Sequence, residues 1–245
     1  MQNIFKYLLY SLSVVVIGIS CEKKYDYTAT YVTDLSGQTN IKVFNATLNA
    51  ARNFVYVGTT PLNGASLIYG ASFPASNSYA SIPAGSINLI IKDTLPTTTQ
   101  LPLNFSSNFE AGKFYSIFMY DTLTATKYKI VTDDIVVPTD TSMRFRFANL
   151  FYSGTAIPAV DIFSWRANTK IATNVATNDI TSFSNHLYRT DTLYVRSAGT
   201  DSPDIIKLFY SGLTSQRSYT FIMRGRYQNT GTQAVPRSIT LFTTY

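Results

Sequence analysis

Reactive chemistry needs side chains that titrate near neutrality, attack or ligate metals, and this 245-residue chain carries few of them. It has one histidine, His186, and one cysteine, Cys21. A metal centre built on several imidazoles or thiolates is therefore excluded. A nucleophilic triad would have to use His186 with Asp179 or Asp191, and no Gly-x-Ser-x-Gly elbow accompanies them. A lone histidine between aromatic and turn residues reads more simply as a loop or sheet-surface residue. Glycoside hydrolysis needs two acids roughly 5–10 Å apart. The glutamates are only Glu22 and Glu110, and the closest aspartates in sequence are Asp133-Asp134 and the Asp201/Asp204 pair. Such neighbours solvate a loop, or supply part of a calcium cage that needs roughly six to eight oxygens. The sequence assigns no catalytic residue, no metal site and no cofactor.

Binding chemistry is better represented, by 18 Tyr, 16 Phe and one Trp. Trp and Tyr rings stack on sugar faces and give contact area at low entropic cost. Trp165, Tyr152, Tyr188 and Tyr210, with Phe151 beside them, fall near expected strand ends and form the candidate ligand-binding group. The competing reading places Tyr and Phe in sheet cores, and Trp165, two residues after Phe163, fits a core position as well. Arg144/Arg146 and Arg224/Arg226 are each spaced by two, which puts each pair on one face of its strand. On neighbouring strands the four guanidinium groups would make an anion-gripping stripe; the alternative is a solvated face that blocks edge pairing. Asp-Thr-Leu strings at Asp93, Asp121 and Asp191 resemble a Bacteroidota O-glycosylation motif, with Thr94, Thr122 and Thr192 as acceptors.

The elements that position these groups follow from composition and pattern. Hydrophobic residues make up 45% and charged residues 14%, which excludes a disordered chain, and 12 glycines exclude a collagen-like one. At about 100–200 residues per domain the length accommodates one large domain or two small ones. The net charge of +6 is spread thinly with no basic run, so nucleic acid is not an expected partner.

Lys6 followed by the apolar stretch Leu8 to Ile19 has the layout of an export signal, too short to span a ~30 Å hydrocarbon core. The string Ile17-Gly18-Ile19-Ser20-Cys21 resembles a bacterial lipobox, in which the cysteine becomes the lipidated N-terminus. A single cysteine in an exported chain has no internal disulfide partner, which agrees with its use as a lipid attachment point. Acyl chains buried at about 0.8 kcal/mol per CH₂ then hold the protein on the membrane. The expected organisation is a signal peptide over 1–20, a lipidated tether over 21–37, and folded domains over 38–138 and 139–245. Glu22 after the cysteine directs the lipoprotein to the outer membrane by the retention rule that the resemblance implies.

The folded part repeats itself. Asn40 to Ala46 (NIKVFNA) echoes Arg144 to Leu150 (RFRFANL), and Gly112 to Met119 (GKFYSIFM) echoes Gln216 to Met223 (QRSYTFIM), both at an offset of 104 residues. Asn45 thus aligns with Asn149, Tyr115 with Tyr219 and Met119 with Met223. Runs alternate with period two between turn residues such as Asn63-Gly64, Pro83-Ala84-Gly85 and Ser211-Gly212, and no capped 3.6-residue period appears. Phe145 and Phe147 alternate with Arg144 and Arg146, which predicts a strand with one wet face. The fold expected is all-β, two tandem Ig-like antiparallel β-sandwich domains.

Phe147-Ala148-Asn149, Ala159-Val160-Asp161-Ile162-Phe163, Ile82-Pro83-Ala84-Gly85 and Ala111-Gly112-Lys113-Phe114-Tyr115 resemble the domain of unknown function 4397 family, extracytoplasmic sandwiches that occur in tandem on bacterial lipoproteins. The resemblance implies architecture and address over most of residues 38–245, and no activity. The function expected is non-enzymatic binding or scaffolding in the cell envelope, with a membrane held through the lipid and an envelope protein or glycan as partner. The alternative is a carbohydrate-binding surface lipoprotein of a glycan-uptake system that uses the aromatics of the second domain.

Overall fold

The period-two runs become strands. A computed structural model describes residues 34–50, 52–75, 77–228 and 235–245, so the expected signal peptide, Cys21 and most of the expected tether lie outside the described residues. The first half contains Gln38–Asn45 (β1), Asn53–Val57 (β2), Thr60–Pro61 (β3), Ser72–Phe73 (β4), Ala80–Pro83 (β5), Gly85–Asp93 (β6), Leu103–Phe109 (β7), Phe114–Tyr120 (β8) and Lys127–Thr132 (β9). The second contains Met143–Tyr152 (β10), Val160–Ser164 (β11), Thr169–Val175 (β12), Ser184–His186 (β13), Asp191–Ser197 (β14), Asp204–Tyr210 (β15), Ser218–Arg226 (β16) and Ser238–Thr243 (β17). The chain is all-β, with sandwich-like packing and no helix among the described residues. None of them therefore forms a helix long and apolar enough to cross a membrane.

Both halves use one strand order. Sheet β4-β1-β8-β9, with β5 also on β1, packs against β3-β2-β6-β7; sheet β13-β10-β16-β17 packs against β12-β11-β14-β15. In each half the first strand runs parallel to the last strand but one, and the register sets Asn45 opposite Met119 and Asn149 opposite Met223. Tyr115 accepts a hydrogen bond on its hydroxyl from the Glu110 amide (3.1 Å), and Tyr219 from the Thr214 amide (2.7 Å), so the repeated tyrosine latches the loop five residues upstream in both. The repeated asparagine ties its strand to backbone further along the chain. Asn45 Nδ2 donates to the carbonyls of Ala50 and Leu67, and Asn149 Nδ2 to that of Val175.

Each sandwich buries one face of its strands. Ile41, Val43, Val55, Leu89, Ile91 and Ile117 fill the first core; Phe145, Phe147, Ile162, Leu193, Val195 and Phe221 fill the second. The opposite face of the β1/β8 sheet is also covered, because it stacks on the β10/β16 sheet. Phe44, Ala46, Phe118, Ala148, Leu150, Ile222 and Phe242 form a third apolar cluster there, with Phe44 stacked on Phe242 at 5.8 Å. Leu35–Tyr245 accordingly cluster as one compact unit. This corrects the wet face expected for Arg144 and Arg146. The alternation is as read, but the polar face is closed by the other sandwich, and Arg146 is only 2% exposed.

Candidate ligand-binding face

The arginine pairs do not form a stripe. Strands β10 and β16 are neighbours, yet their parallel register sets Arg146 opposite Thr220 and Arg224 opposite Leu150, so the two pairs are displaced by about 20 Å along the sheet. Each guanidinium is already engaged. Arg146 pairs with Asp133, and donates to Ser116 Oγ (2.9 Å) and Thr220 Oγ1 (2.8 Å). Arg144 donates to the Asp134 carbonyl (2.7 Å) and carboxylate (3.0 Å). Arg224 donates to Thr240 Oγ1 and lies 4.3 Å over the Tyr69 ring, and Arg226 lies 5.3 Å over Tyr152.

The Arg146–Asp133 pair belongs to a buried polar cluster between the sandwiches. Tyr79 and Ser116 hydroxyls both donate to Asp133 Oδ2 at 2.6 Å. Lys42, 1% exposed, sits 5.1 Å from the Tyr79 and Phe242 ring centroids and donates to the Thr243 carbonyl. Burial lowers the Lys42 pKa to about 8, opposed by the Asp133 charge, and burial with the same charge pushes the Tyr79 hydroxyl upward. Two cations thus share one carboxylate. The cluster and the apolar contacts around it hold the two halves in register.

The accessible chemistry is on the outer face of β12-β11-β14-β15. Val160, Ile162, Leu193 and Val195 point into the core, so Phe163, Thr192 and Tyr194 point outward, and Trp165 follows in the exposed turn that leaves β11. The register places Phe163, Tyr194 and Lys207 in one row, and sets Thr192 opposite Phe209. The Trp165 amide donates to the Thr192 carbonyl (3.0 Å), which completes a second row of Trp165, Thr192 and Phe209. Trp165 is 62% and Phe209 65% exposed. Arg196, held by Asp204 at 2.7 Å, spreads over Phe163 and Tyr194 at 5.1 and 5.2 Å. Four aromatic rings therefore share one open sheet surface.

At the end of this sheet lies a cleft of about 600 Å³ between the β11–β12 turn, the β13–β14 connection and the β15–β16 connection, walled by Arg166, Tyr188, Arg189, Thr190 and Leu213. Buried Asp191 supports it. This carboxylate accepts from Ser164 Oγ, from the Arg166 amide (2.8 Å) and from the Thr192 amide (2.7 Å), and His186 Nε2 lies 3.5 Å away. The trio is not a nucleophilic arrangement, because Ser164 is fully buried and donates to the acid instead of the imidazole. Burial depresses the His186 pKa below its usual value, more than Asp191 raises it.

Of the candidate aromatics, Trp165 and Tyr188 are exposed at this end. Tyr210 is a core residue, 4% exposed and packed edge-on against Phe145, which corrects its assignment as a ligand contact. Tyr152 ends β10 about 30 Å from Met143, at the far end of the sandwich. Asp201 and Asp204 do not make a calcium cage: Asp204 pairs with Arg196 and Asp201 lies 3.9 Å from Lys170. No group of three potential metal ligands occurs among the described residues. Of the Asp-Thr-Leu threonines, Thr94 is exposed, and Thr122 and Thr192 are half-buried. Phe209, Arg166 and Arg189 escaped the sequence reading. The Phe163/Trp165 spacing fits a core position as well as an open one, and only the strand pairing brings Phe209 into the same surface.

A family model for a domain of unknown function (DUF4397) matches residues 39–163, half of the chain, including the Asn45 strand, the Tyr115 latch and the Asn149 strand. The chain belongs to this family. The DUF4397 match covers β1 through β10 and reaches into β11, so it takes in the first sandwich and the opening strands of the second. No curated protein matches the chain.

Proposed function

We propose that this DUF4397 protein is a non-enzymatic outer-membrane lipoprotein, anchored through Cys21, that binds saccharide on the outward aromatic face of its second sandwich while the first serves as a rigid stem. The two sandwiches are read as tandem copies of one domain, on the shared strand order and the 104-residue echo. The observation that carries the binding reading is the row of Trp165 and Phe209 about two-thirds exposed on a sheet, where burial would otherwise be favourable. A flat aromatic row suits the C–H faces of pyranose rings. The lone cysteine behind an export-type stretch supports the anchor.

A glycan microarray probed with the mature chain tests binding, with Trp165→Ala and Phe209→Ala as controls. Saccharide binding lost on either substitution is expected; tight binding insensitive to both removes the proposed face. A scaffolding role without ligand is the second reading, favoured by the closed polar and apolar contact between the halves, and it gains if no saccharide binds. Mass spectrometry of the mature N-terminus tests the anchor, since an unmodified Cys21 contradicts it.

A further inference from the structure

The saccharide face is continuous in sequence with a cationic cleft, and we infer that the ligand is an acidic polysaccharide, whose carboxylate or sulfate is gripped by Arg166 and Arg189 beside Trp165 and Tyr188. The inference rests on the saccharide reading above and adds the charge of the ligand. Two loops each supply an aromatic residue followed by an arginine, Trp165-Arg166 and Tyr188-Arg189. Both arginines and Tyr188 wall the same cleft, and all four residues are exposed. The cleft volume of about 600 Å³ falls in the roughly 300–1,000 Å³ range of small-ligand sites.

The guanidinium groups are available. Arg166 is aimed by one hydrogen bond, from Nε to the Thr190 carbonyl at 2.6 Å, which leaves both terminal nitrogens uncommitted among the described residues. Arg189 has no hydrogen bond or ion pair among them, and neither arginine pairs with a carboxylate. The two acids nearest the cleft wall in sequence are held by other donors and not by these arginines: Asp140, next to Thr141 of the wall, accepts from the Ser142 amide, and buried Asp191 accepts from Ser164 and two amides. Arg144, Arg146 and Arg196 each have an acidic partner, whereas Arg166 and Arg189, like Arg217, Arg224 and Arg226, have no ion pair among the described residues; what distinguishes these two is that they wall one cleft together. A planar guanidinium matches carboxylate and sulfate in bidentate fashion, and the neighbouring rings cover the sugar to which the anion is attached. Uronate-bearing and sulfated glycans share this chemistry.

Calorimetric titration of the mature chain with oligogalacturonate, chondroitin sulfate oligosaccharide and neutral cello-oligosaccharide tests the inference and separates the two anions. At least one acidic probe is expected to bind at least about tenfold more tightly than the neutral one, with affinity falling as NaCl rises from about 0.05 to about 0.5 M. Arg189→Gln is expected to weaken the acidic probe about tenfold or more, and Arg189→Lys to restore part of it, because charge returns without the bidentate fork. Arg189 is exposed, so folding of these variants is not at stake. Equal affinity for neutral and acidic probes, or an acidic affinity untouched by Arg189→Gln, overturns the inference; if Trp165→Ala still abolishes binding, the saccharide reading survives. Absence of binding to all three probes overturns both, as does a polyglutamate peptide that outcompetes every glycan.

Discussion

Asp133→Asn is the most informative single perturbation of the body, because that carboxylate is the one anion among Lys42, Arg146, Tyr79 and Ser116. The substitution keeps the shape and removes the charge, which leaves two buried cations with no counter-charge. Breaking a buried pair from one side costs about 3–5 kcal/mol, since the remaining ion has lost its water without compensation. A unit the size of Leu35–Tyr245 shifts its melting temperature by about 2–4 °C per kcal/mol, so a fall of roughly 6–20 °C is expected. Thermal melts followed by circular dichroism at neutral pH measure it. Removing a cation as well should recover much of the loss, so Asp133→Asn combined with Arg146→Met is expected to melt above Asp133→Asn alone. A single variant within about 1 kcal/mol of the parent, or a double variant no more stable than the single, would refute the view that charge balance holds the interface.

Lys42, lowered from 10.5 to about 8 by burial, binds its proton less tightly folded than unfolded, so stability should rise between about pH 8 and 10 and be flat just below. The raised hydroxyls of Tyr69, Tyr79 and Tyr210 reverse the trend above about pH 10, where unfolded tyrosines ionise first; Lys42→Met should abolish the rise in a pH series of urea melts. His186, depressed by burial, protonates more readily when unfolded. The contribution of His186 should therefore be complete above about pH 6.5 and be lost on acidification, a loss that His186→Gln should diminish. Gly225 has φ +96°, and an added Cβ would stand 2.1 Å from the Pro236 carbonyl oxygen, whereas Gly112 at φ +72° faces open space. Gly225→Ala should thus destabilise by more than the roughly 1–2 kcal/mol expected for Gly112→Ala, as denaturant titration will register.

Much of the architecture was written in local pattern. The 104-residue echo put Asn45 with Asn149 and Met119 with Met223, and the strand registers align those pairs in equivalent positions. The same offset carries Gly112 onto Gln216, whose φ of +59° keeps the left-handed turn without a glycine, so turn chemistry was disguised there. The ligand face was half legible. Trp165 and Phe163 shared a face by spacing, but Phe209 joins them only through antiparallel pairing across β14, and Arg166 meets Arg189 only because two distant loops share one end of the sandwich.

By itself, then, the amino-acid order determined the strands and their two unlike faces, since period-two alternation states which side chains travel together. It left undecided what lies against each face. Arg146 and Phe209 both sit on the side of a strand turned away from its own core; one is sealed beneath the other sandwich and the other stands in solvent. Alternation is a property of one strand, and burial is a property of its neighbours, so only the packing of sheet on sheet separated a structural ion pair from an accessible binding surface.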